Sequence, residues 1–350
     1  MNIKQVAARA KVSVATISRT INRPESVDAR TAARVWKVIR ELNYYPNGQA
    51  RALVSGKSRM FGLIISDISN PFFPELVKSF DDAAIQHGYE VLVANTDYKS
   101  ERMAICVRKM IERKVDGVAI MTSELDRHLL TELYRRRFPM VFLDLADVKP
   151  LVSRVVVDYA KGIGEAIRHL VSLGHERIGF ISGPLILKSA RTRRSAFLSG
   201  LREFGILRHR QIEAEGNHRV DGGDVAMRGM LSQPNPPTAV LTSNDLTAIG
   251  ALRAITSADL DVPRDISVVG FDDIELSQYT RPPLTTIRLS REELGRKAFD
   301  TLYRTAEGLA NMGQEIHIST TLVLRDSTGP APRKRYRTQG KSPARMLPAR

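Results

Sequence analysis

The run Ser13-Val14-Ala15-Thr16-Ile17-Ser18-Arg19 is the stretch whose side chains are best suited to specific recognition. Read as a helix from Val14 to Asn22, it turns Ile17 and Ile21 inward and presents Val14, Ala15, Ser18 and Arg19. Three of these four are small, which lets a helix approach base edges closely. Arginine can donate two hydrogen bonds to a guanine or reach a phosphate. A helix that merely faces water would carry Glu and Lys, yet residues 3–22 contain no acid. The pattern points to a helix that enters the major groove of DNA.

The neighbouring segments suit that task. Ile3, Val6, Ala7 and Ala10 share one face of a short helix over 3–10, and Lys11-Val12-Ser13 makes a tight connection in which Ser13 is a good N-cap. Residues 23–28 form a loop. Asp28 can cap a third helix to about Leu42, with Val35, Ile39 and Leu42 on its buried face. Three helices with a three-residue turn between the first two match a helix-turn-helix domain. Further on, Asn47 can cap a helix of about two turns ending near Gly56, too short to persist in water without a partner.

Charge is distributed accordingly. Of the net +15 over 350 residues, the first 60 residues contribute twelve Lys or Arg against three acids. The last 22 contribute seven basic residues and no acid, leaving the long middle near neutral. A basic end on a neutral body is the footprint of a nucleic-acid module joined to another function. The length suggests two or three domains. The single cysteine, Cys106, rules out an intramolecular disulfide and fits a reducing, cytoplasmic setting. Neither a signal peptide nor an apolar run of membrane-spanning length is evident, so no membrane partner is expected.

From Met60 onward apolar strands alternate with amphipathic helices. Strands are expected at 61–66, 89–95, 117–121, 140–144, 155–158, 178–182, 239–243 and 267–271, and helices at 74–87, 101–113, 163–173, 191–204 and 245–254. Such alternation indicates an α/β core of doubly wound parallel sheets, long enough here for two of them, with a ligand site at the carboxyl ends of the strands. Catalytic signatures are lacking. The seven histidines are scattered, with His169 and His175 at a helix end in structural positions; no His-Glu-x-x-His, nucleophile elbow or P-loop occurs. Gly162-Ile-Gly164 lacks the third glycine of a dinucleotide loop. A non-enzyme without cofactor or metal is expected. A solute-binding transport protein would share the core but would carry a signal peptide and lack the basic first 60 residues.

The segments Val12–Asn22 (VSVATISRTIN), Glu41–Asn47 (ELNYYPN), Ala50–Leu53 (ARAL), Asp67–Phe73 (DISNPFF), Val115–Gly117 (VDG), Leu173–Ile178 (LGHERI), Ser243–Asp245 (SND), Val268–Asp273 (VVGFDD) and Pro282–Ile287 (PPLTTI) together resemble the LacI/GalR family of bacterial transcriptional regulators, in that family's order, over nearly all of residues 2–326. The resemblance implies a helix-turn-helix domain over 1–46, a hinge helix and linker over 47–59, a two-lobed core resembling periplasmic binding proteins over 60–327, and a basic, disordered tail over 328–350. Lobe one would take 60–157 and 289–318, lobe two 158–288 and 319–327. It also implies a homodimer or higher oligomer on a pseudo-palindromic operator, acting as a repressor whose grip on DNA changes with a small-molecule effector such as a sugar, sugar derivative or similar polar metabolite.

Site residues follow from the same resemblance. Val14, Ala15 and Arg19 would read bases, with Ser18 on the same face; Ser13, Thr16 and Asn22 would grip phosphates. Val14-Ala15 is similar to the galactose-repressor type of recognition helix, which implies a central CG step in the operator. In the hinge that Asn47 caps, Leu53 would enter the minor groove as a wedge with Ala50 small enough for close contact, and Arg51 and Lys57 would add nonspecific charge. In the core, Phe72 and Phe73 would supply an apolar wall, Asp144 would accept hydroxyl protons, and Arg193, Phe197, Asn244 and Asp272 would complete the effector site. Arg191 and Arg194 are alternatives to Arg193, and Asp245 is expected to cap its helix while Asn244 faces the ligand. An Asp, an Asn, an Arg and an aromatic face suit a polyol, whose hydroxyls both donate and accept. Three departures from the family stand out: Lys11 where Gly or Asn is usual, Ala196 in place of a Gly before Phe197, and the added basic tail.

Overall fold

The computed structural model describes residues 2–22, 24–44, 56–122, 127–135, 138–145, 147–206 and 211–332. They form two compact units, one comprising residues up to Met60 with Lys114–Asp116, the other the remainder of the chain.

The first unit contains α1 (Ile3–Ala10), α2 (Val14–Asn22) and α3 (Ala29–Glu41). Caps fix their starts. Asn2 and Gln5 form a reciprocal capping box on α1. Ser13 Oγ accepts the Thr16 amide proton (3.1 Å), and Asp28 Oδ2 accepts that of Thr31 (3.0 Å). The turn after α1 needs a left-handed residue, and Lys11 supplies it at φ 53°, ψ 47°. Val6, Ala7, Ala10, Ile17, Val35, Val38 and Ile39 meet in one small core, with Ile3, Val12, Ile21 and Leu42 at its edge. In the same unit the Asp116 carboxylate accepts from the amides of Ser58 (2.7 Å) and Arg59 (2.9 Å).

The strands of the larger unit are β1 (Met60–Ile65), β2 (Glu90–Asn95), β3 (Gly117–Met121), β4 (Met140–Leu143), β5 (Val152–Asp158), β6 (Ile178–Ser182), β7 (Gln211–Glu215), β8 (Ala239–Thr242), β9 (Ser267–Asp272), β10 (Thr285–Leu289) and β11 (Glu315–Val323). They lie in the order β2-β1-β3-β4-β5-β11-β10-β9-β8-β6-β7. From β1 through β3, β4 and β5 to β11, and from β10 through β9, β8 and β6 to β7, neighbours pair in parallel, whereas β10 and β11 are antiparallel. The middle strand serves two half-sheets: Glu315–Ser319 pair with β5, and Thr320–Val323 pair with β10. We call the halves lobe one (β2-β1-β3-β4-β5) and lobe two (β10-β9-β8-β6-β7).

The helices are α4 (Phe72–Gln86), α5 (Ser100–Glu112), α6 (Arg127–Arg135), α7 (Tyr159–Ser172), α8 (Lys188–Glu203), α9 (Val220–Leu231), α10 (Asp245–Ser257) and α11 (Arg291–Ala306). Strands such as β1, β3, β6 and β9 are apolar and buried along their length, as expected of parallel strands covered on both faces. Helices α9 and α10 touch through their backbones: a Cβ on Gly250 would fall 2.0 Å from the Val220 carbonyl oxygen, and one on Gly223 would fall 2.2 Å from that of Thr247. This contact fixes the amino ends of both helices, where His218, Arg219 and Asn244 lie.

Thr328–Ala331, assigned from sequence to the disordered tail, are instead docked on lobe two. The Gly329 amide donates to Ser267 Oγ (3.0 Å), its carbonyl lies 3.0 Å from His175 Nε2, and the Ala331 amide donates to the Leu173 carbonyl (2.8 Å). Backbone polar groups satisfied in this way hold a segment that has little apolar surface to bury. The rest of the basic tail, 333–350, lies outside the described residues.

Candidate functional site

Two surfaces carry the functional residues, one in each unit. On α2, Ile17 and Thr20 are fully buried, so the helix has one outward face. Val14, Ala15 and Arg19 are exposed there, with Thr16 and Ser18 at its margins. Val14, 39% exposed near the amino end of α2, is small enough to approach base edges closely. Ser13 Oγ and Thr16 Oγ1 lie 2.9 Å apart and order each other beside the helix start. Asn22 closes α2. Asn47, Ala50, Arg51 and Leu53 lie outside the described residues.

In the larger unit, a cleft partly open to solvent lies where strands of both lobes end. Of the residues expected there, Phe72, Phe73, Asp144, Arg193, Asn244 and Asp272 line it. Phe72 and Phe73 open α4 and pack edge to face at 5.2 Å, forming a preset apolar wall. Phe197 does not reach the cleft. It is fully buried and stacks on Phe180 at 4.8 Å, because its position on α8 faces the sheet. Arg193, four residues earlier on the same helix, reaches the cleft. The alternatives point elsewhere: Arg191 donates to the Leu185 and Ile186 carbonyls, and Arg194 pairs with Glu213.

Arg193 is nearly enclosed. Its guanidinium lies 4.6 Å from the Phe271 ring centre and 5.0 Å from that of Tyr159, and Nη2 is 3.9 Å from Asp272 Oδ1. Its Nε is buried and has no hydrogen-bond partner among the described residues. Asp272 ends β9 at φ 109°, a strained conformation for a residue with a side chain. Its carbonyl accepts from Arg291 Nη1 (2.5 Å). Burial pushes its carboxyl up to about 6, against the pull of Arg193 and Arg291.

Asp144, also left-handed at φ 55°, accepts from the Val157 amide (3.0 Å) and the Tyr159 hydroxyl (2.6 Å). Burial raises its carboxyl above the usual range, while those two donors and the nearby cations pull it down. Burial likewise drives the Tyr159 phenol well up, and the Asp144 charge adds to this. Tyr159 is therefore a fixed donor.

Asn244, rather than Asp245, is the helix cap. With an extended backbone (φ −157°), its Oδ1 accepts from the Thr247 amide (3.0 Å) and Oγ1 (2.6 Å), and its Nδ2 donates to the His218 carbonyl (2.9 Å). Asp245 points into the protein, where it accepts from Thr286 Oγ1 (2.5 Å) and the Ile274 amide (2.8 Å). Burial, with Asp272 close by, raises its carboxyl well above the ordinary value.

Among the lining residues that sequence reasoning missed are Tyr159, His218 and Tyr98. Tyr159 follows the end of β5, so the strand-end rule applied residue by residue would have found it. His218 offered no signal, since it follows β7, a strand the sequence did not reveal. Burial, and secondarily Arg193, lowers its imidazole to about 3, so the ring is neutral. Nδ1 faces Ser243 Oγ at 3.3 Å. The ring is seated on Gly183, where a Cβ would lie 2.0 Å from Nε2. The cleft thus offers an apolar wall, a neutral imidazole, a guanidinium and a carboxylate acceptor.

Comparison with known proteins agrees with both surfaces. Residues 2–47 match the model of bacterial regulatory proteins of the lacI family, and residues 167–328 match that of the periplasmic binding protein-like domain. The transcriptional repressor CytR of Escherichia coli K12 is 34% identical over 330 residues, spanning 94% of this chain and 97% of the repressor. The chain belongs to the lacI family of bacterial regulatory proteins. PurR of Edwardsiella ictaluri is 35% identical over 337 residues, with 96% and 99% of the two chains covered. Among solved structures, the lac repressor dimer bound to operator and the anti-inducer ONPF superposes with a TM-score of 0.84 at 32% identity, covering 94% of this chain and 99% of that one. As a member of the lacI family, the protein is a sequence-specific DNA-binding transcriptional regulator with an effector-binding core. Its relatives are transcriptional repressors, not enzymes. No helix among the described residues is long and apolar enough to cross a membrane.

Proposed function

We propose that this regulator is a repressor that binds a pseudo-palindromic operator as a homodimer and changes its grip when a hydroxylated polar metabolite occupies the cleft. The nearly enclosed guanidinium of Arg193, whose Nη2 faces Asp272 Oδ1 across 3.9 Å and whose Nε is buried without a partner among the described residues, carries this reading. A buried donor without an acceptor costs about 1–3 kcal/mol. A ligand hydroxyl can accept from Arg193 and donate to Asp272 at once, while Phe72 and Phe73 cover its apolar face. Asn244 and Asp144 have largely committed their polar atoms to the protein, so they shape the cleft more than they grip the ligand.

On DNA, Val14, Ala15 and Arg19 read base edges, Ser18 flanks them, and Ser13, Thr16 and Asn22 contact phosphates. One such helix covers few bases, so two related by a dyad are needed for a specific site. The lac repressor structure with operator is that of a dimer, which supports the same arrangement here. Of the hinge residues expected from the sequence, Leu53 and Ala50 contact the minor groove, Leu53 opening a base step, and Arg51 adds nonspecific charge.

A thermal-shift screen of the full chain against sugars, sugar acids, polyols and nucleobases tests the cleft. A compound that raises Tm for the wild type but not for Asp272→Ala is expected. Stabilisation that survives both Asp272→Ala and Arg193→Ala would move the ligand site elsewhere.

A further inference from the structure

Arg219 bridges the two lobes beside the cleft-lining residues His218 and Tyr98. It precedes α9 in lobe two, and its Nη2 donates to two carboxylates of lobe one, Asp67 Oδ2 at 3.0 Å and Asp97 Oδ1 at 2.8 Å. Beside it, His218 lies parallel to Tyr98, with ring centres 5.9 Å apart and planes at 24°. A further bridge runs from Lys188 Nζ on α8 to the Asp144 carbonyl (2.5 Å).

The backbone on both sides of this contact is left-handed. Asp97 (φ 53°) and Tyr98 (φ 56°) follow β2, and His218 (φ 63°) precedes Arg219. Residues other than glycine adopt this conformation uncommonly, and such backbone gathers at switches and ligand clamps. It aims Asp97 and Tyr98 of one lobe at Arg219 and His218 of the other.

The two acids are not equivalent. Asp97 is also close to Lys99 Nζ (3.1 Å) and Arg102 Nη1 (3.9 Å) in its own lobe, so it keeps cationic neighbours if Arg219 leaves. Asp67 is nearly buried, and Arg219 is the one cation paired with it among the described residues. Its other oxygen is engaged by the Ser69 amide (3.0 Å). Parting the lobes would strand Asp67.

We propose that Arg219 is a clasp, with Asp67 as its principal catch, that sets the balance between open and closed forms of the cleft and so the ease with which a ligand enters. Arg219 is not offered as a ligand contact; its role is to position the lobes. The functional consequence rests on the cleft being the effector site, but the clasp itself does not. Because Arg219 is half exposed, its effect on the open-to-closed ratio is a few-fold, not all-or-none.

The test reads lobe separation directly, without ligand or DNA. Spin labels are placed on the full chain at Leu309→Cys, after α11 beyond lobe one, and Ser232→Cys, after α9 in lobe two; both positions are exposed. Cys106 is buried and its thiol is pushed up by that burial, so it stays unlabelled. Labelled subunits are diluted with unlabelled protein so that only distances within one chain count. Arg219→Ala is expected to shift and broaden the distance distribution. Asp67→Asn should do the same, Asp97→Asn less, and Arg219→Ala/Asp67→Asn no more than Arg219→Ala alone. High salt should move the wild type toward the Arg219→Ala distribution. An Arg219→Ala distribution that overlays the wild type, or additive shifts from Arg219→Ala and Asp67→Asn, would overturn the clasp. Failure of the cleft as an effector site would leave these distances unchanged, so the two ideas are tested separately.

Discussion

Arg193 and Asp272 face each other across the cleft floor at 3.9 Å, both almost withdrawn from water, a separation too long for a direct hydrogen bond. The pair is preset to take a bridging group between its members. Its asymmetry is also measurable. The Asp272 carboxyl sits near 6, above its ordinary value, so the folded state holds a proton there that the unfolded chain releases earlier. The stabilising contribution is complete below the unfolded value and lost as pH rises through about 6. Relative to Asp272→Asn, the wild type should lose up to about 3 kcal/mol between pH 4 and pH 7. Denaturant melts of both proteins across that range would show it; a stability difference independent of pH would contradict the burial argument.

Arg19→Ala should weaken operator binding by roughly 1–3 kcal/mol and narrow the margin over random DNA. Anisotropy titrations on a selected operator and on random DNA provide the measurement. Equal losses on both would mean that Arg19 touches only phosphate. The same selection should return sites with a central CG step, as the Val14-Ala15 pair implies.

Asn244→Ala should destabilise the protein by about 1–3 kcal/mol, since the cap on α10 and the bond to the His218 carbonyl vanish together. Asn244→Asp keeps the acceptor for Thr247 and should lose less. Thermal melts rank the three proteins, and equal stability of wild type and Asn244→Ala would deny the capping role.

Lys11 holds a left-handed backbone that glycine adopts without strain. Lys11→Gly should stabilise the first unit by up to about 1 kcal/mol. Trp36, the chain's one tryptophan, lies on α3 and reports on this unit alone. A lower Trp36 fluorescence midpoint in denaturant for Lys11→Gly would refute the strain.

The sequence was most informative where one local rule dominates. The caps at Ser13 and Asp28, the helical spacing of Ile17 and Ile21 and the apolar runs of β1, β3 and β6 each depend on neighbouring residues, and each matches the structure. Elements that depend on partners were harder to read. β11 alternates polar and apolar residues and is defined by pairing with β5 and β10, distant in sequence. α9 contains Gly222, Gly223 and Gly229, which lower its helical propensity, and it stands because Gly223 lets it touch α10. Within the cleft, Phe197 misled because an aromatic near a polar helix face is as well suited to a core as to a ligand. His218 stayed hidden because its burial comes from Gly183 and the loop before α9.

The two units have a joint role only if occupancy of the cleft alters the grip of α2 on DNA. The most direct measurement is operator affinity of the full chain, titrated with and without the compound that stabilises it in the screen, for the wild type and Asp272→Ala. A ligand can move this equilibrium only through unequal affinity for the two states. The compound is expected to change wild-type operator affinity by about 5–150-fold and to leave that of Asp272→Ala unchanged, with the two proteins binding operator equally well in its absence. An operator affinity in the wild type that is indifferent to the compound, or one that shifts equally in Asp272→Ala, would contradict the coupling of cleft to DNA.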